Sequence, residues 1–465
     1  MTNPVFTNDA VVFGILIVVL AVIFYTSGIK TKFWKKFYTY VPALLLCYFV
    51  PALLHWPFGL ISNEWYDTAA VIQHLHDQFN IVLPAKASLN DAWEAIKSNN
   101  IDIKVFDQFK HHSQLYFVAS RYLLPASLIL LTLSIDFKGI LNLGPKSIIM
   151  FLAGTLGVML GGPIALLITI NFFPGMIPVS MDDMWRGMST MAGSWIGGGA
   201  NQTAMKEIFE VKDNIFASFI VVDVIVANIW MGFLLYGANI RQRVDKWLKA
   251  DVSAIDDLVH RVENFRKKVE KIPTTTEVFI MLAVGFGGVA LSHMGADIIS
   301  PYMKSFRETL ENLKLNSLMS GFFWLIVLAT TIGLILSFTK ARKLEGIGAS
   351  RWGSVFIYIL VATIGMKMNL IEVRENFGLF MVGIIWMLVH VIILLVVAKI
   401  IKAPLFFVAV GSQANIGGAA SAPIVASAFN PSLAPVGVLL AVLGYAVGTY
   451  GAIITAYMMQ WVVAG

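Results

Sequence analysis

Ten stretches of about 20 mostly apolar residues leave this chain one environment in which to fold. They lie at 10–28, 39–55, 115–135, 147–172, 214–238, 277–296, 317–338, 353–371, 377–400 and 434–460. A segment in lipid must satisfy every backbone N–H and C=O internally, so these stretches predict helices and an all-α polytopic membrane protein. Two more, 186–209 and 405–428, are apolar but interrupted by glycine and small polar residues. Composition agrees: 57% of residues are apolar and 13% charged, against roughly 25% charged in an ordinary soluble domain. That balance excludes a disordered chain, a disulfide-stapled secreted domain and a nucleic-acid binder with a basic face. Cys47, the single cysteine, sits in an apolar run and has no intrachain partner.

Lysine and arginine orient the spans. The segment 29–38, the loop of Lys138 and Lys146, and the stretch with Lys340, Arg342, Lys343 and Arg351 are basic and belong inside. The segment 173–184 carries Asp182 and Asp183 without Lys or Arg and belongs outside. The first span reads as a retained helix, because Asp9 precedes it and Lys30, Lys32, Lys35 and Lys36 follow with no clear cleavage site. The linker 239–275 holds nine Lys or Arg against six Asp or Glu, which favours inside, and its pattern predicts an amphipathic helix. The hydrophilic insert 56–113 is acid-leaning and falls outside.

The chain divides into a first half, 1–239, the linker 240–275 and a second half, 276–465. Each half gives apolar spans, then a glycine-rich interrupted stretch, then one more span. The two stretches read GSWIGGGANQTAMKEIF (193–209) and GSQANIGGAASAPIVASAF (411–429), with their glycine pairs two residues out of step when the Gly-Ser pairs are aligned. If each stretch crossed fully, each half would have six crossings and the halves would be parallel. If each is re-entrant, each half has five, the second half starts inverted, and the basic linker falls inside. Charge therefore predicts two inverted-topology repeats of about five spans plus one broken or re-entrant helix each. A discontinuous crossing helix is the alternative.

Irregular backbone at membrane depth is costly unless it lines a cavity or is buried in protein. Gly197, Gly198 and Gly199, and Gly417 and Gly418 with Pro423 after them, break a helix there. Broken ends present open N–H groups that attract anions and open carbonyls that attract cations. Two such elements facing each other suit a secondary-transport site. The candidate substrate-binding residues are Ser194, Gly198, Gly199, Asn201, Gln202, Ser412, Gln413, Asn415, Gly417, Gly418 and Ser421, with Thr203 beside them. Tight helix packing through small residues is the plainer alternative.

The run GSQANIGGAASAPIVASAFNPSLAPVGVLLAVLGYAVGTYGA (411–452), with GSWIGGGAN (193–201), LLPASLILL (123–131) and LGPK (143–146), resembles the YjcL-like family of bacterial membrane proteins, whose domain has no known function. That family is grouped with the cation:proton antiporter, bile acid:sodium symporter and glutamate:sodium symporter superfamily. The grouping implies inverted repeats, a mobile core moving against a scaffold, ion-coupled transport, a bacterial inner membrane and a homodimer. It supplies no substrate, and the 56–113 insert has no match in the family pattern.

A charge at membrane depth is costly, so each one is a functional candidate. Asp223, with Asn228 five residues on, lies mid-span after the first broken stretch and is the candidate ion-coupling pair, for Na⁺ through carboxylate and amide oxygens or for H⁺. Lys367, near a span end, is a candidate counter-charge or a snorkelling residue. Arg121, four residues before Pro125, is a weaker candidate for a substrate anion, and Asp136 reads as interfacial. His293, Asp297 and His390 read as satisfied core or interface residues. His55, His74, His76, His111 and His112 cluster in or beside the insert with a spacing that fits no zinc pattern.

No phosphate-binding loop, HExxH or GxSxG occurs, which argues against ATP-driven transport by this chain alone and against a hydrolase. The expectation is a secondary active transporter of a small, anionic organic solute, driven by Na⁺ or H⁺, with no cofactor beyond a coupling Na⁺, no enzymatic activity and no nucleic-acid partner. A monovalent cation/proton antiporter with no organic substrate is the alternative.

Overall fold

A computed structural model describes residues 3–41, 43–84, 86–251, 273–313, 315–368, 378–430 and 433–464. Seven helices among them are long and apolar enough to cross a bilayer: α1 (Asp9–Gly28), α2 (Leu115–Leu133), α3 (Pro145–Phe172), α4 (Asp213–Asn239), α5 (Thr275–Lys304), α6 (Leu379–Ile400) and α7 (Ala434–Ala464). Two bent pairs, Lys32–Tyr38 with Ala43–His55 and Gly321–Ser337 with Lys340–Ile347, raise the number to nine if each is one span. The chain is an all-α polytopic membrane protein, as its apolar runs predict. The expected span 353–371 appears as a shorter helix, Ala349–Gly365, and its end at 369–371 lies outside the described residues. So does most of the expected amphipathic linker, 252–272; its start forms the helix Arg241–Leu248.

The chain separates into two compact units that cut across the sequence halves. One comprises residues 1–121 and 358–370. Asn8 opens α1 by accepting the Ala10 and Val11 N–H groups at 2.9 and 3.3 Å. The insert forms a small body here, with β1 (Glu64–Tyr66) antiparallel to β2 (Lys110–His112) and short helices packed on a core of Val71, Leu75, Ala92, Ile96 and Phe106. A Ser88–Asp91 capping box starts one of those helices. Its histidines are dispersed by packing: His74 lies among the Phe79, Phe106 and Phe109 rings, His111 stacks on Trp65, and His76 bonds Asp77.

The second unit, 122–357 and 371–465, holds both glycine-rich stretches. With lipid outside, its helices associate through close packing rather than through hydrophobic exclusion. The line of glycines on α3 makes that possible. A Cβ on Gly157 would stand 2.9 Å from His390 Nδ1, and one on Gly161 would stand 2.6 Å from Trp386 Cδ1. Trp386 Nε1 donates to Val158 O at 2.8 Å, and one turn along α6 His390 Nδ1 meets Gly154 O at 3.0 Å. Two ring N–H bonds, one turn apart on both helices, thus join α6 to α3.

Candidate functional site

The first glycine-rich stretch forms one helical run, Met181–Ile208, interrupted at Gly198 with φ +74° and ψ −172°. That conformation belongs essentially to glycine alone. Contacts across the run show that it doubles back. A Cβ on Gly193 would stand 2.5 Å from Asn201 O, although residues eight apart in a straight helix lie ~12 Å apart. Arg186 Nη1 donates to Phe209 O at 2.5 Å, and the Trp185 ring lies 5.4 Å from that of Phe209. Both sets of contacts centre on Gly197–Gly198, so the element is a helical hairpin with its tip at the glycines.

The second stretch is built the same way from Leu405–Ile416 and Gly418–Phe429. Gln413 Nε2 donates to Ser421 Oγ at 2.6 Å, and the Phe406 and Phe429 rings lie 5.7 Å apart. These pairs centre on Gly417, and Gly418 has φ +58°. Helical hairpins that double back on themselves, rather than helices that run straight on past a break, are therefore what the glycines produce. The Gly-Ser register suggested by the sequence is corrected by two residues. Ile196-Gly197-Gly198 matches Ile416-Gly417-Gly418, because the second glycine of each carries the positive φ.

Both hairpins meet α7 at a glycine face. A Cβ on Gly444 would lie 2.7 Å from Ile196 O and 3.7 Å from Ala414 O, and one on Gly448 would lie 2.5 Å from the Gly197 Cα. The helix Gly418–Phe429 starts at this tip without a side-chain cap, which leaves first-turn N–H groups open. Gly198, Gly199, Gly417 and Gly418 are half-buried and Ala420 is exposed, so the tips are reachable from outside the protein.

Each hairpin is fastened by the same clamp. Asn201 Oδ1 accepts Thr449 Oγ1 on α7 at 2.5 Å, while its Nδ2 donates to Gly197 O at 3.0 Å and to Tyr445 O at 3.3 Å. Asn415 Oδ1 accepts Thr155 Oγ1 on α3 at 2.7 Å, while its Nδ2 donates to Gly411 O and Phe151 O, both at 2.9 Å. In both, the amide spans its own carbonyl four residues back and the carbonyl four residues before the partner threonine. Sequence reasoning assigned both asparagines to substrate and missed both threonines. The readable signal was Gly-Thr-x-Gly, present at 154–157 and again at 448–451.

Asp223 on α4 holds the two arms of the first hairpin together. Its Oδ2 accepts Ser194 Oγ at 2.6 Å and Gln202 Nε2 at 3.1 Å, and its Oδ1 accepts Trp195 Nε1 at 2.6 Å. Asn228 does not join it. Five residues on is ~140° around the helix, and the Asn228 amide donates to Val224 O of its own helix at 2.7 Å. At the second hairpin, Ser412 Oγ accepts Trp230 Nε1 at 2.8 Å and lies 2.8 Å from His390 Nε2. Gln413 is buried and its Oε1 has no hydrogen-bond partner among the described residues. Lys367, in the other unit, lies 4.0 Å above the Tyr116 ring, and Arg121 sits in a π-helical turn at Ala119–Leu123.

The linker also reaches the second hairpin. Asp245 Oδ1 accepts the Leu405 N–H at 2.7 Å, and Lys146 pairs with Asp251 at 2.9 Å. Burial pushes the Asp245 carboxyl above its usual range, against the opposing pull of the Leu405 N–H and Arg241. Among the described residues, no group of three or more His, Cys, Asp or Glu is placed to hold a metal ion.

Comparison with known proteins adds two findings. Residues 95–462 match a family described as a protein of unknown function (DUF819). Residues 56–94 of the insert lie outside that match. The uncharacterized membrane protein YjcL of Bacillus subtilis (strain 168) is 24% identical over 364 residues, covering 75% of this chain and 84% of the relative.

Proposed function

We propose that this chain, which belongs to the DUF819 family, is an ion-coupled secondary transporter that carries a small organic anion by alternating access. The observation that supports this most is the pair of glycine-tipped helical hairpins meeting α7 at Gly444 and Gly448. Such hairpins place unpaired backbone ends at membrane depth, where the positive end of a helix favours an anion. Most of the polar side chains nearby are occupied by the clamps and by Asp223, so backbone amides at the tips do the anion binding. Gln413 Oε1 and Ser421 then contribute selectivity.

Asp223 is the coupling group. A carboxylate in the hydrocarbon layer costs about 2.5–3.5 kcal/mol on insertion scales, and here it binds both arms of one hairpin through Ser194 and Gln202. A Na⁺ or H⁺ bound at Asp223 competes for those bonds and so changes how the arms are held. The two halves act as inverted repeats, the hairpin-bearing bundle moves in the manner of an elevator, and the protein works in a bacterial plasma membrane.

Purified protein in liposomes tests this reading. Adding the transported anion is expected to give a solute-dependent current or Na⁺ uptake that Asp223→Asn abolishes. Collapse of a pH gradient on adding Na⁺ without any solute identifies a cation/proton antiporter instead. Ion-coupled uptake untouched by Asp223→Asn removes Asp223 from the mechanism.

A further inference from the structure

The chain leaves α1 at Ile29 and enters a short helix, Lys32–Tyr40, whose two faces have opposite chemistry. At about 100° per residue, Lys32, Lys35 and Lys36 fall within about 100° of one another, and Phe33, Trp34, Phe37 and Tyr38 fill the opposite side. The three lysines are exposed. The aromatic side is consolidated by its own rings: Phe33 stacks on Phe37 at 6.3 Å, and Trp34 lies 5.7 Å from Phe37 and 5.9 Å from Tyr38. Tyr38 ties this side to the end of α1, where its hydroxyl donates to Ile23 O at 2.9 Å and lies 2.6 Å from Thr26 Oγ1. Phe33, at the edge of the aromatic side, is nevertheless 68% exposed.

The direction of the helix explains that exposure. The next helix, Ala43–His55, packs against α1, and Lys32–Tyr38 turns 85° away from it. A helix so turned runs across the end of α1 in the plane of the membrane surface, on the side that lysine and arginine mark as inside. A basic face opposite an aromatic one, lying in that plane, suits the boundary between headgroups and acyl chains. Tryptophan and tyrosine favour the same depth. The basic face also lacks a counter-charge from its own part of the chain. Between Asp9 and Glu64 the sequence holds no Asp or Glu, while Lys30, Lys32, Lys35 and Lys36 fall within one short stretch. Lipid phosphates at the surface supply the missing negative charge.

We propose that Lys32–Tyr40 is an in-plane helix that binds anionic phospholipid of the inside leaflet. Lys30, Lys32, Lys35 and Lys36 take the headgroup phosphates, and the ring of Phe33 enters the acyl region beside them. This surface is separate from the hairpins, and the proposal does not rest on the transporter reading.

The full-length protein tests it without any transported solute. Native mass spectrometry of folded protein in mixed micelles, offered equal phosphatidylglycerol and phosphatidylcholine, counts the lipids of each kind that are kept. A lysine near an anionic surface strengthens attachment about fivefold. Lys32→Gln, Lys35→Gln and Lys36→Gln together are therefore expected to weaken phosphatidylglycerol binding by about tenfold or more and to leave phosphatidylcholine unchanged. Lys32→Arg, Lys35→Arg and Lys36→Arg together are expected to keep the wild-type pattern. Equal retention by wild type and the glutamine variant overturns the proposal, and so does equal loss of both lipids. Displacement of the phosphatidylglycerol by millimolar inorganic phosphate marks a soluble-phosphate site and overturns it as well. A second measurement needs no lysine variant. In liposomes, the part of the tryptophan fluorescence that Trp34→Phe removes is expected to be quenched more by bromine placed near the lipid headgroup than by bromine near the acyl-chain end. Equal or stronger quenching from the chain end overturns the in-plane placement.

Discussion

Gly193 faces Asn201 across the first hairpin with no room for a side chain between them, whereas at the matching positions of the second hairpin Gln413 reaches across to Ser421. The first hairpin's second arm is almost wholly buried, with Lys206 paired to Asp213 inside it. The second hairpin's second arm is open on one side, with Ala420 exposed and Ile424 55% exposed. The tips are alike, and so are the asparagine clamps, although these sit on opposite arms. Backbone geometry makes a hairpin in both places, then, and the neighbours decide how tightly it is held. The first is wedged and braced by a carboxylate. The second is fastened by side-chain bonds along its first arm, while its second arm rests on α7, where Gly437 meets the Ala422 backbone.

The largest effect expected from disturbing this comparison comes from the shared floor. Gly448→Leu drives a side chain into the Gly197 backbone at 2.5 Å and should cost about 3 kcal/mol. Loss of the monodisperse folded peak in size-exclusion chromatography would show it, and a well-folded variant would mean that the first hairpin is not seated there. Next comes the brace. Asp223→Ala leaves three buried donors unpaired and should lower stability by about 3 kcal/mol in a thermal melt, since each orphaned group costs about 1–3 kcal/mol. Asp223→Asn should keep most of that stability while losing coupled transport.

The clamps make the comparison quantitative. Thr449→Val and Thr155→Val should each cost about 1 kcal/mol, and double-mutant cycles with Asn201→Ala and Asn415→Ala should return similar coupling energies. Coupling at one site and none at the other would show that the two clamps are not equivalent. At the tips, Gly198→Ala should cost more than Gly418→Ala. The former sits at ψ −172°, while the latter has nothing within 4 Å of an added Cβ and pays only the left-handed strain of about 1–2 kcal/mol.

The smallest effect is Asp245→Asn, which keeps an oxygen for the Leu405 N–H and should change stability by no more than about 0.5 kcal/mol. Its pH dependence has a definite sign. The folded protein holds the Asp245 proton more tightly than the unfolded chain does, so the ionised form is a cost at neutral pH. That cost fades as pH falls through the raised value, and melts of wild type and variant should converge on acidification.

Much of this protein was set by local properties that a sequence displays. Runs of apolar residues specify spans because unpaired backbone cannot face lipid. Paired glycines specify breaks because the second of each pair takes a positive φ that strains a residue with a side chain, and the distribution of lysine and arginine already favoured re-entrant elements over extra crossings. What the sequence left open depends on residues far apart in the chain. Whether the Gly-Ser or the Ile-Gly-Gly register was the structural one could not be read locally, since both recur and only the fold-back contacts of Gly193 with Asn201 and of Gln413 with Ser421 separate them. Asn201 and Asn415 looked like ligands because a polar residue beside a break usually is one. Their threonine partners lie 248 and 260 residues away. The same holds for Asp223 and His390: a titratable group at membrane depth is visible in the chain, but its role depends on which donor or acceptor packing brings to it, and only the assembled helices supply that.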